Sequence, residues 1–397
     1  MLSPDDHRQI GQKLDLFHFQ EEAPGMVFWH PRGYAMLSSL RAALARVAAR
    51  DGFEEVLTPQ ILRQPVWDMS GHSAHYRDAM FAIDDSEQPA FAKPVSCPGH
   101  LEIFRRRAAS YRDLPLRYAE FGLVHRNEPS GTLHGLFRLR QFTQDDGHVF
   151  CLRAQLEAEV ARFCRSLQRC YAALGFERVE VAFATRPESR AGSDADWDVA
   201  EARLSAAAAQ AGLSPRHAPG AGAFYGPKLE FSLSDSAGRS WQCGTIQLDL
   251  VLPERFGVSY VEPDGGKQRP AMLHRAVLGS LERFLGVLLE HHEGRLPAWL
   301  APEQAVVLPV SEGQADAARE AASEIAAAGV RVRIDGREES LSRRVLDAHG
   351  RAVPFLVVVG ERERRGGLLT LRAGKEQRAL ARAEAVSELS RAVAAPL

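Results

Sequence analysis

Residues 125–151, HRNEPSGTLHGLFRLRQFTQDDGHVFC, concentrate charged side chains around a turn rich in glycine and proline. Arg126 and Arg138 lie on consecutive predicted strands, and Arg283 lies in the segment GSLERF. Guanidinium groups bind phosphate and carboxylate oxygens in bidentate geometry and stay charged when partly buried. Three of them on one sheet face would hold a nucleoside triphosphate, and the sequence has no GxxxxGK[ST] phosphate loop to do so instead. On residue type alone, a solvated surface role remains the alternative for each arginine.

Three further side chains are good zinc ligands. Cys97 lies in KPVSCPGH, His148 in DDGHVF and His274 in AMLHRAV. One cysteine and two histidines leave a fourth coordination position open, as in catalytic rather than structural zinc sites. The three residues are scattered along the sequence, and 14 histidines offer many such combinations. Spacing alone therefore leaves a structural role as the commoner alternative for each.

The composition is ordinary for a globular protein with more than one domain. Hydrophobic residues make up 45% and charged residues 25% of the 397 residues, and this length exceeds one small core. The 49 basic and 51 acidic residues give a net charge of −2, so contact with nucleic acid would need a local basic patch. Five cysteines without a CxxC pair, a polar N-terminus and the lack of a long apolar run indicate a cytoplasmic protein that does not bind membranes.

Periodicity predicts an antiparallel sheet flanked by helices over most of the chain. The connections between the strands are short and hairpin-like, which is typical of antiparallel pairing. The predicted helices cover residues 34–53, 152–176 and 273–292. The predicted strands cover residues 54–59, 115–128, 133–151, 228–235 and 240–252.

The pattern changes after a proline-containing linker at residues 294–304. Beyond it, strands such as AVVLPV and FLVVVG alternate with helices such as ADAAREAASEIAAAG, which predicts a small, largely parallel α/β domain. The predicted fold class is therefore α+β, with an antiparallel sheet domain at residues 1–298 followed by a small α/β domain at residues 299–397.

These segments together resemble the class II aminoacyl-tRNA synthetases, and within them the threonyl-tRNA synthetases. FEEVLTPQI is similar to the first motif of the class, LVHRNEPSGTLHGLFRLRQFTQDDGHVF to the second and HRAVLGSLERF to the third. KPVSCPGH, GAFYGPK and WQCGTIQLD are further blocks similar to the threonine-specific enzymes. The resemblance is dense over residues 6–300 and looser beyond. It implies the class II catalytic fold, an anticodon-binding-like second domain and a homodimer formed through the turn at Pro59.

The resemblance also implies a role for each candidate residue. One zinc ion per chain would be held by Cys97, His148 and His274. The amino acid would be bound by Gln144, Asp146, Tyr225, Lys228 and Gln247. ATP would be bound by Arg126, Glu128, Arg138, Gln242, Thr245 and Arg283. Arg126, Arg283 and His72 would take the catalytic roles.

The implied reaction has two steps and uses ATP, Mg²⁺ and zinc. The carboxylate of threonine attacks the α-phosphorus and releases pyrophosphate, while Arg126 and Mg²⁺ offset the developing charge. A terminal hydroxyl of tRNA-Thr then attacks the mixed anhydride, and His72 in SGHSAHY stands where the family places a residue that helps remove its proton. Zinc and Asp146 would reject valine by about 10⁴-fold or more, whereas serine differs by only about 1–3 kcal/mol.

Several departures from the family pattern carry expectations of their own. The sequence begins almost at the catalytic domain, without the N-terminal and editing domains of most bacterial relatives. It is expected either to be a shortened piece or to be naturally short, serylating tRNA and relying on a separate trans-editing protein. In the second domain, REESLSRRVL replaces a basic helix and Leu346 stands at an arginine position, although Arg372 and Glu363 match base-reading positions. Val95 and Ser96 replace Met and Asn beside the zinc cysteine.

Two other functions remain open on the sequence. The altered helix around Leu346 favours a paralogue that activates threonine or a related β-hydroxy amino acid for a carrier protein or a specialised pathway. A catalytically silent regulator that binds tRNA or amino acid is the other alternative. The presence of Arg126, Arg283 and all three zinc ligands argues against the silent regulator.

Overall fold

The computed structural model describes residues 3, 5–84, 88–176, 178–235 and 238–397. The described chain packs into two compact units. One contains the residues up to His18, Phe28–Leu40 and Leu288–Pro396, and the other contains Phe19–Val27 and Arg41–Val287. Two N-terminal segments therefore group with the C-terminal unit. The domain boundary predicted at 298/299 remains a prediction. No helix in the described residues is long and apolar enough to cross a membrane.

The helices are α1 (His7–Lys13), α2 (Pro31–Arg50), α3 (Gln64–Ser70), α4 (His72–His75), α5 (Cys97–Arg105), α6 (Leu156–Ala173), α7 (Asp194–Gln210), α8 (Leu252–Arg255), α9 (Leu281–His291), α10 (Ala315–Ala327), α11 (Leu341–Gly350), α12 (Glu361–Gly366) and α13 (Arg382–Ala392). The strands are β1 (Phe17–His18), β2 (Phe28–Trp29), β3 (Glu54–Glu55), β4 (Ile61–Arg63), β5 (Ala82–Ile83), β6 (Ala90–Ala92), β7 (Ala109–Ser110), β8 (Leu116–His125), β9 (Gln141–Cys151), β10 (Val179–Ala184), β11 (Arg216–Ala218), β12 (Lys228–Ser234), β13 (Ser240–Asp249), β14 (Tyr260–Val261), β15 (Lys267–Gln268), β16 (Ala271–Ser280), β17 (Ala305–Pro309), β18 (Val332–Ile334), β19 (Phe355–Val359), β20 (Leu368–Ala373) and β21 (Glu376–Ala381).

The larger unit is built on an eight-stranded sheet in the order β11-β10-β12-β13-β16-β9-β8-β3. The strands from β10 to β8 pair antiparallel, and only the edge strands β11 and β3 pair parallel. The predicted antiparallel sheet is therefore confirmed. β9 and β16 lie side by side near its centre, with His148 directly opposite His274.

The predicted helix over residues 273–292 is wrong in its first half. The chain there forms β16, and only α9 from Leu281 to His291 is helical. Residues 271–278 are all buried between β13 and β9, so the strand is buried on both faces and its spacing does not separate a buried strand from a helix. Gly279, with φ of +73°, ends the run, and a Cβ there would meet the carbonyl oxygen of Cys243 at 2.8 Å.

Two more corrections concern the same sheet. The strand predicted over residues 133–151 begins only at Gln141, because residues 133–140 form a loop closed by an isolated bridge between His134 and Arg138. The sequence interpretation also contained no elements between residues 177 and 227, where β10, α7 and β11 occur. In α7, alanines surround few large apolar residues, so its amphipathic pattern is weak.

In the C-terminal unit, five strands pair in the order β18-β17-β19-β20-β21. β18, β17 and β19 are parallel, as predicted, whereas β20 and β21 are antiparallel. Alternate residues of the parallel strands bury opposite faces: Val307 and Val357 pack with α10, and Val306 and Leu356 pack with Ala348 of α11. The domain is thus largely parallel as predicted, with β20 antiparallel, and β21 was not predicted because it is a polar edge segment that carried little strand signal.

Candidate active site

A cavity of about 720 Å³ opens on the large sheet. Every residue predicted from the sequence to bind substrate, nucleotide or metal lines this one cavity. They are His72, Cys97, Arg126, Glu128, Arg138, Gln144, Asp146, His148, Tyr225, Lys228, Gln242, Thr245, Gln247, His274 and Arg283.

Cys97, His148 and His274 form a buried cluster whose ligand atoms all lie within 4.8 Å of one another. Cys97 is the first residue of α5, and the two histidines are cross-strand neighbours on β9 and β16. His148 Nε2 lies 3.0 Å from His274 Nδ1. Antiparallel pairing therefore supplies two of the three ligands, and a helix start supplies the third.

The other ring nitrogen of each histidine already has a partner. His274 Nε2 lies 2.9 Å from Asp249 Oδ2, and His148 Nδ1 lies 2.8 Å from His100 Nδ1. The nitrogens that remain are the two that face each other beside Cys97, which is the arrangement a metal ion requires. The donor set therefore fits zinc.

Burial shifts the pKa values of His148 and Cys97. It lowers the pKa of His148 well below its usual value, which keeps the ring in the neutral form that binds metal. It also raises the pKa of Cys97, with a further rise from the charge of Asp146. A thiol in these surroundings ionises only beside a cation, so a bound metal would stabilise the thiolate.

Polar side chains surround the metal cluster on the amino-acid side. Asp146 Oδ1 lies 3.7 Å from His148 Nε2, and the Tyr225 ring lies against His274 with centroids 5.0 Å apart. Gln144 Oε1 is buried without a hydrogen-bond partner among the described residues. Gln247 Nε2 donates to the carbonyl of Gly226 at 3.0 Å. A carboxylate and an unpaired amide oxygen next to the cluster suit a ligand that carries an amine and a hydroxyl.

The three predicted arginines meet in the adjoining part of the cavity. Arg126 donates through Nε to Pro94 O at 3.2 Å and lies over the Phe142 ring. Arg283 donates through Nε to the carbonyl of Phe137 at 2.8 Å. Burial lowers the pKa of Arg283, and the charges of Arg126 and Arg138 lower it further. Cations that repel one another in this way form a site for a multiply charged anion.

Two ion-pair groups contain Glu128, Arg138 and Gln242 of the predicted nucleotide side and Lys228 of the predicted amino-acid side. Arg138 lies 2.8 Å from the Glu128 carboxylate. Lys228 Nζ lies 2.6 Å from Glu230 Oε1, and Gln242 Nε2 donates to the same oxygen at 3.0 Å. Lys228 is therefore already paired by its neighbour on β12.

His72 is buried at the start of α4, and its Nδ1 lies 2.8 Å from Ser70 Oγ. Burial, with the nearby charges of His274 and Arg126, lowers its pKa to about 3. The ring is therefore neutral at physiological pH, and it is a much weaker base than a free imidazole. Its role in removing a proton stays a prediction.

The sequence interpretation missed residues that support the site from behind. His100 and Asp249 orient the two histidine ligands, and Asp145 accepts backbone hydrogen bonds from Val277, Leu278 and Gly279. His100 stands in CPGH, three residues after Cys97, so its block offered a signal. Nothing local marks Asp145 or Asp249, because their roles depend on strand alternation.

The family model for the class II core domain of tRNA synthetases (G, H, P, S and T) matches residues 81–292, and that for the anticodon binding domain matches residues 304–392. The chain is therefore a class II tRNA synthetase. Its antiparallel sheet, with arginines converging on one face, is followed by this second domain.

The relatives narrow the class further. The chain is 50% identical to a threonine–tRNA ligase of Laribacter hongkongensis over 93% of its own length and 58% of that relative's length. It matches the crystal structure of the RNA binding domain of threonyl-tRNA synthetase from Cryptosporidium parvum with a TM-score of 0.95 and 38% identity, over 97% of this chain and 98% of that one. The chain belongs to the threonyl-tRNA synthetase family. A prolyl-tRNA synthetase from C. parvum, 17% identical with a TM-score of 0.72 over 98% of this chain and 74% of that one, shares the fold alone.

Proposed function

We propose that the chain activates L-threonine with ATP and transfers it to tRNA-Thr, with zinc selecting the amino acid. The observation that carries the proposal is the placement of the Cys97–His148–His274 cluster, Asp146 and the converging arginines in one cavity. The chain spans 58% of the length of the Laribacter relative, which is a threonine–tRNA ligase. We therefore base the proposed activity on the residues that line the cavity of this chain.

Activation needs an in-line approach of a carboxylate to the α-phosphorus of ATP, which enters with Mg²⁺. We assign Arg126 to the position between the metal cluster and the other arginines. From there it can hold the amino-acid carboxylate and the α-phosphate together. Arg283 offsets charge on the phosphates, and pyrophosphate leaves. Glu128, Arg138, Gln242 and Thr245 complete the nucleotide side.

Selection is assigned to the other end of the cavity. Zinc held by Cys97, His148 and His274 would offer open coordination positions to an amine and a hydroxyl. Asp146 accepts a hydrogen bond from one of these groups and, being buried, is left unsatisfied by valine. Serine presents both polar groups, and the loss of one methyl changes binding by only about 1–3 kcal/mol. We therefore expect measurable serine activation, with rejection of serine left to an editing activity in cis or in trans.

Transfer to tRNA is the second step. His72 is the candidate for taking the proton of the terminal hydroxyl, because it lines the cavity, although burial makes it a weaker base than a free imidazole. The C-terminal unit would contact the anticodon.

A specific observation favours the second candidate, a paralogue that serves a carrier protein or a specialised pathway. Leu346 is 62% exposed on α11, where an arginine was expected. Glu363 is occupied locally, since its Oε1 accepts from Thr370 Oγ1 at 2.9 Å and its Oε2 from the Gly360 amide at 3.0 Å. Both features reduce the capacity of this surface to read bases.

A homodimer and a cytoplasmic location belong to the proposal. Leu57 and Ile61, on either side of Pro59, are 80% and 53% exposed. Apolar side chains this exposed at one turn are suited to a subunit contact. The five cysteines are free thiols, which suits a reducing compartment.

The test is amino-acid-dependent exchange between pyrophosphate and ATP, followed by charging of purified tRNA. Threonine should support exchange and serine should support it less well, while valine should not. Charging of tRNA-Thr that survives replacement of its anticodon bases would show that the C-terminal unit does not read them. Exchange without charging would favour the carrier-protein paralogue, and no exchange with any amino acid would refute the proposal.

A further inference from the structure

The two histidine ligands of the proposed metal site are held by different means. His274 contacts a carboxylate directly, through Asp249 Oδ2. His148 instead contacts a second imidazole, His100, whose Nε2 lies 3.1 Å from Glu120 Oε2. The route from His148 to a carboxylate is therefore one side chain longer.

A metal bound at the cluster would fix where the protons of this relay lie. A metal would need a lone pair on His148 Nε2. His148 Nδ1 therefore carries the proton and donates a hydrogen bond to His100 Nδ1. His100 must then carry its own proton on Nε2, and it donates to Glu120. Each N–H points away from the metal cluster, and a charged acceptor ends the chain.

Glu120 is held in place by a full set of donors. Lys93 Nζ lies 2.6 Å from Glu120 Oε1, and the Thr58 amide donates to the same oxygen at 3.0 Å. Thr58 Oγ1 donates to Oε2 at 2.9 Å. His100, Glu120, Lys93 and Thr58 are all buried, so this ion pair is desolvated and is a weak source of stability in itself.

From this series of contacts we infer that His100 and Glu120 are positioning residues for the metal. This inference rests on the proposed function. They hold His148 in the tautomer and ring orientation that leave Nε2 directed at Cys97 and His274. Lys93 and Thr58 keep the Glu120 carboxylate ionised and fixed. The relay acts on threonine binding through the metal and does not contact the nucleotide side.

The test compares His100→Leu with His100→Gln. Leucine fills the space without hydrogen bonds, whereas glutamine can accept from His148 and donate to Glu120. Zinc affinity, measured by competition with a chromophoric chelator, should fall about 10- to 100-fold in His100→Leu and recover largely in His100→Gln. The d–d absorption bands of the Co²⁺-substituted protein should shift in His100→Leu, and KM for threonine should rise while KM for ATP stays unchanged.

His7→Leu provides the matched control. His7 is a buried histidine paired with the Glu290 carboxylate at 2.6 Å in the other compact unit, so its replacement also removes a buried imidazole and leaves a carboxylate behind. It should cost stability without changing KM for threonine, which is the readout compared because Asp6, His7 and Glu290 could themselves hold a metal ion. An unchanged zinc affinity and cobalt spectrum in His100→Leu would overturn the inference. A wild-type chain that binds no zinc would overturn the metal part of the proposed function as well, so the two failures are distinguished by the wild-type measurement.

Discussion

Asp145 and Asp146 are neighbours on β9, yet they serve opposite faces of the large sheet. Asp146 lines the cavity beside the metal cluster. Asp145 is directed away from it and accepts the amides of Val277 and Gly279, each at 2.7 Å. These amides precede α9, so Asp145 fixes the turn that presents Arg283.

The two aspartates therefore predict separable effects. Asp145→Asn weakens the turn before α9, and we expect KM for ATP in pyrophosphate exchange to rise by up to about 10²-fold, with zinc content and KM for threonine unchanged. Asp146→Asn should raise KM for threonine and leave KM for ATP unchanged. Steady-state kinetics with each substrate varied in turn checks both. The same pattern in the two variants would contradict the division of the cavity.

At Arg283 we expect the shape of the guanidinium group to matter as well as its charge. Arg283→Lys keeps a cation but loses the planar fork that reaches both Phe137 O and a phosphate, so exchange should fall by about 10²–10³-fold. Arg203→Lys is the control, since Arg203 pairs with Glu157 at 3.0 Å outside the cavity lining. Equal losses in the two variants would show that Arg283 has no special role.

Removal of metal should abolish threonine activation reversibly. Dialysis against a chelator should eliminate exchange, and stoichiometric zinc should restore it, because Asp146 alone does not replace an ion that holds amine and hydroxyl together. Cys97→Ser should bind zinc more weakly and need excess metal. Zinc content by atomic absorption, measured beside exchange, checks this. Full activity in zinc-free protein would exclude the metal's proposed role.

Glu282 predicts a pH dependence of stability. Burial raises its pKa from the ordinary 4.5 to about 7, and hydrogen bonds from the Thr143 amide and Ser280 offset this only in part. The folded chain thus binds a proton that the unfolded chain has released. This contribution is fully present below pH 4.5 and is lost as pH rises through 7, by about 3 kcal/mol in total at roughly 1.4 kcal/mol per pH unit.

The comparison variant for this effect is Glu282→Gln, which cannot titrate. The difference in free energy of unfolding between wild type and variant, from urea titrations between pH 4.5 and 8, should move against the wild type up to about pH 7 and level off above it. A difference that is constant over that range would mean that Glu282 ionises normally in the folded chain.

Leu57 tests the proposed dimer. Leu57→Lys places a charge at an 80% exposed position beside Pro59, so it should not affect folding of the single chain. Sedimentation velocity should show a shift from dimer to monomer, because a charge at the centre of an interface opposes its burial. Val261→Lys, at another exposed apolar position (39% exposed), is the control. A monomeric wild type would exclude the dimer.

Much of the site could be predicted from sequence because its chemistry is concentrated in contiguous blocks. Arg126 and Arg138 flank one turn, and Cys97 and His148 stand in blocks that resemble the family. All fifteen predicted residues line the same cavity. Their individual roles remain predictions, since position in a cavity does not by itself assign a role.

What could not be predicted depends on which way side chains face. His100 supports a ligand only because α5 directs it at His148, and Asp145 differs from Asp146 only by strand alternation. Likewise the sequence predicts the start of a helix where β16 lies, since a strand buried on both faces has no alternation to reveal it. Each of these features depends on tertiary structure.

The direct pairing of His148 with His274 has a consequence for how this chain can change over time. A single inserted or deleted residue within β9 or β16 would turn one imidazole to the far side of the sheet. The same restriction holds for β13, which lies in the connection between the two strands, pairs with β16 and carries Gln247 and Asp249. Gain or loss of residues is therefore channelled into the loops that join the strands and helices of this connection, while the central strands tolerate only substitutions.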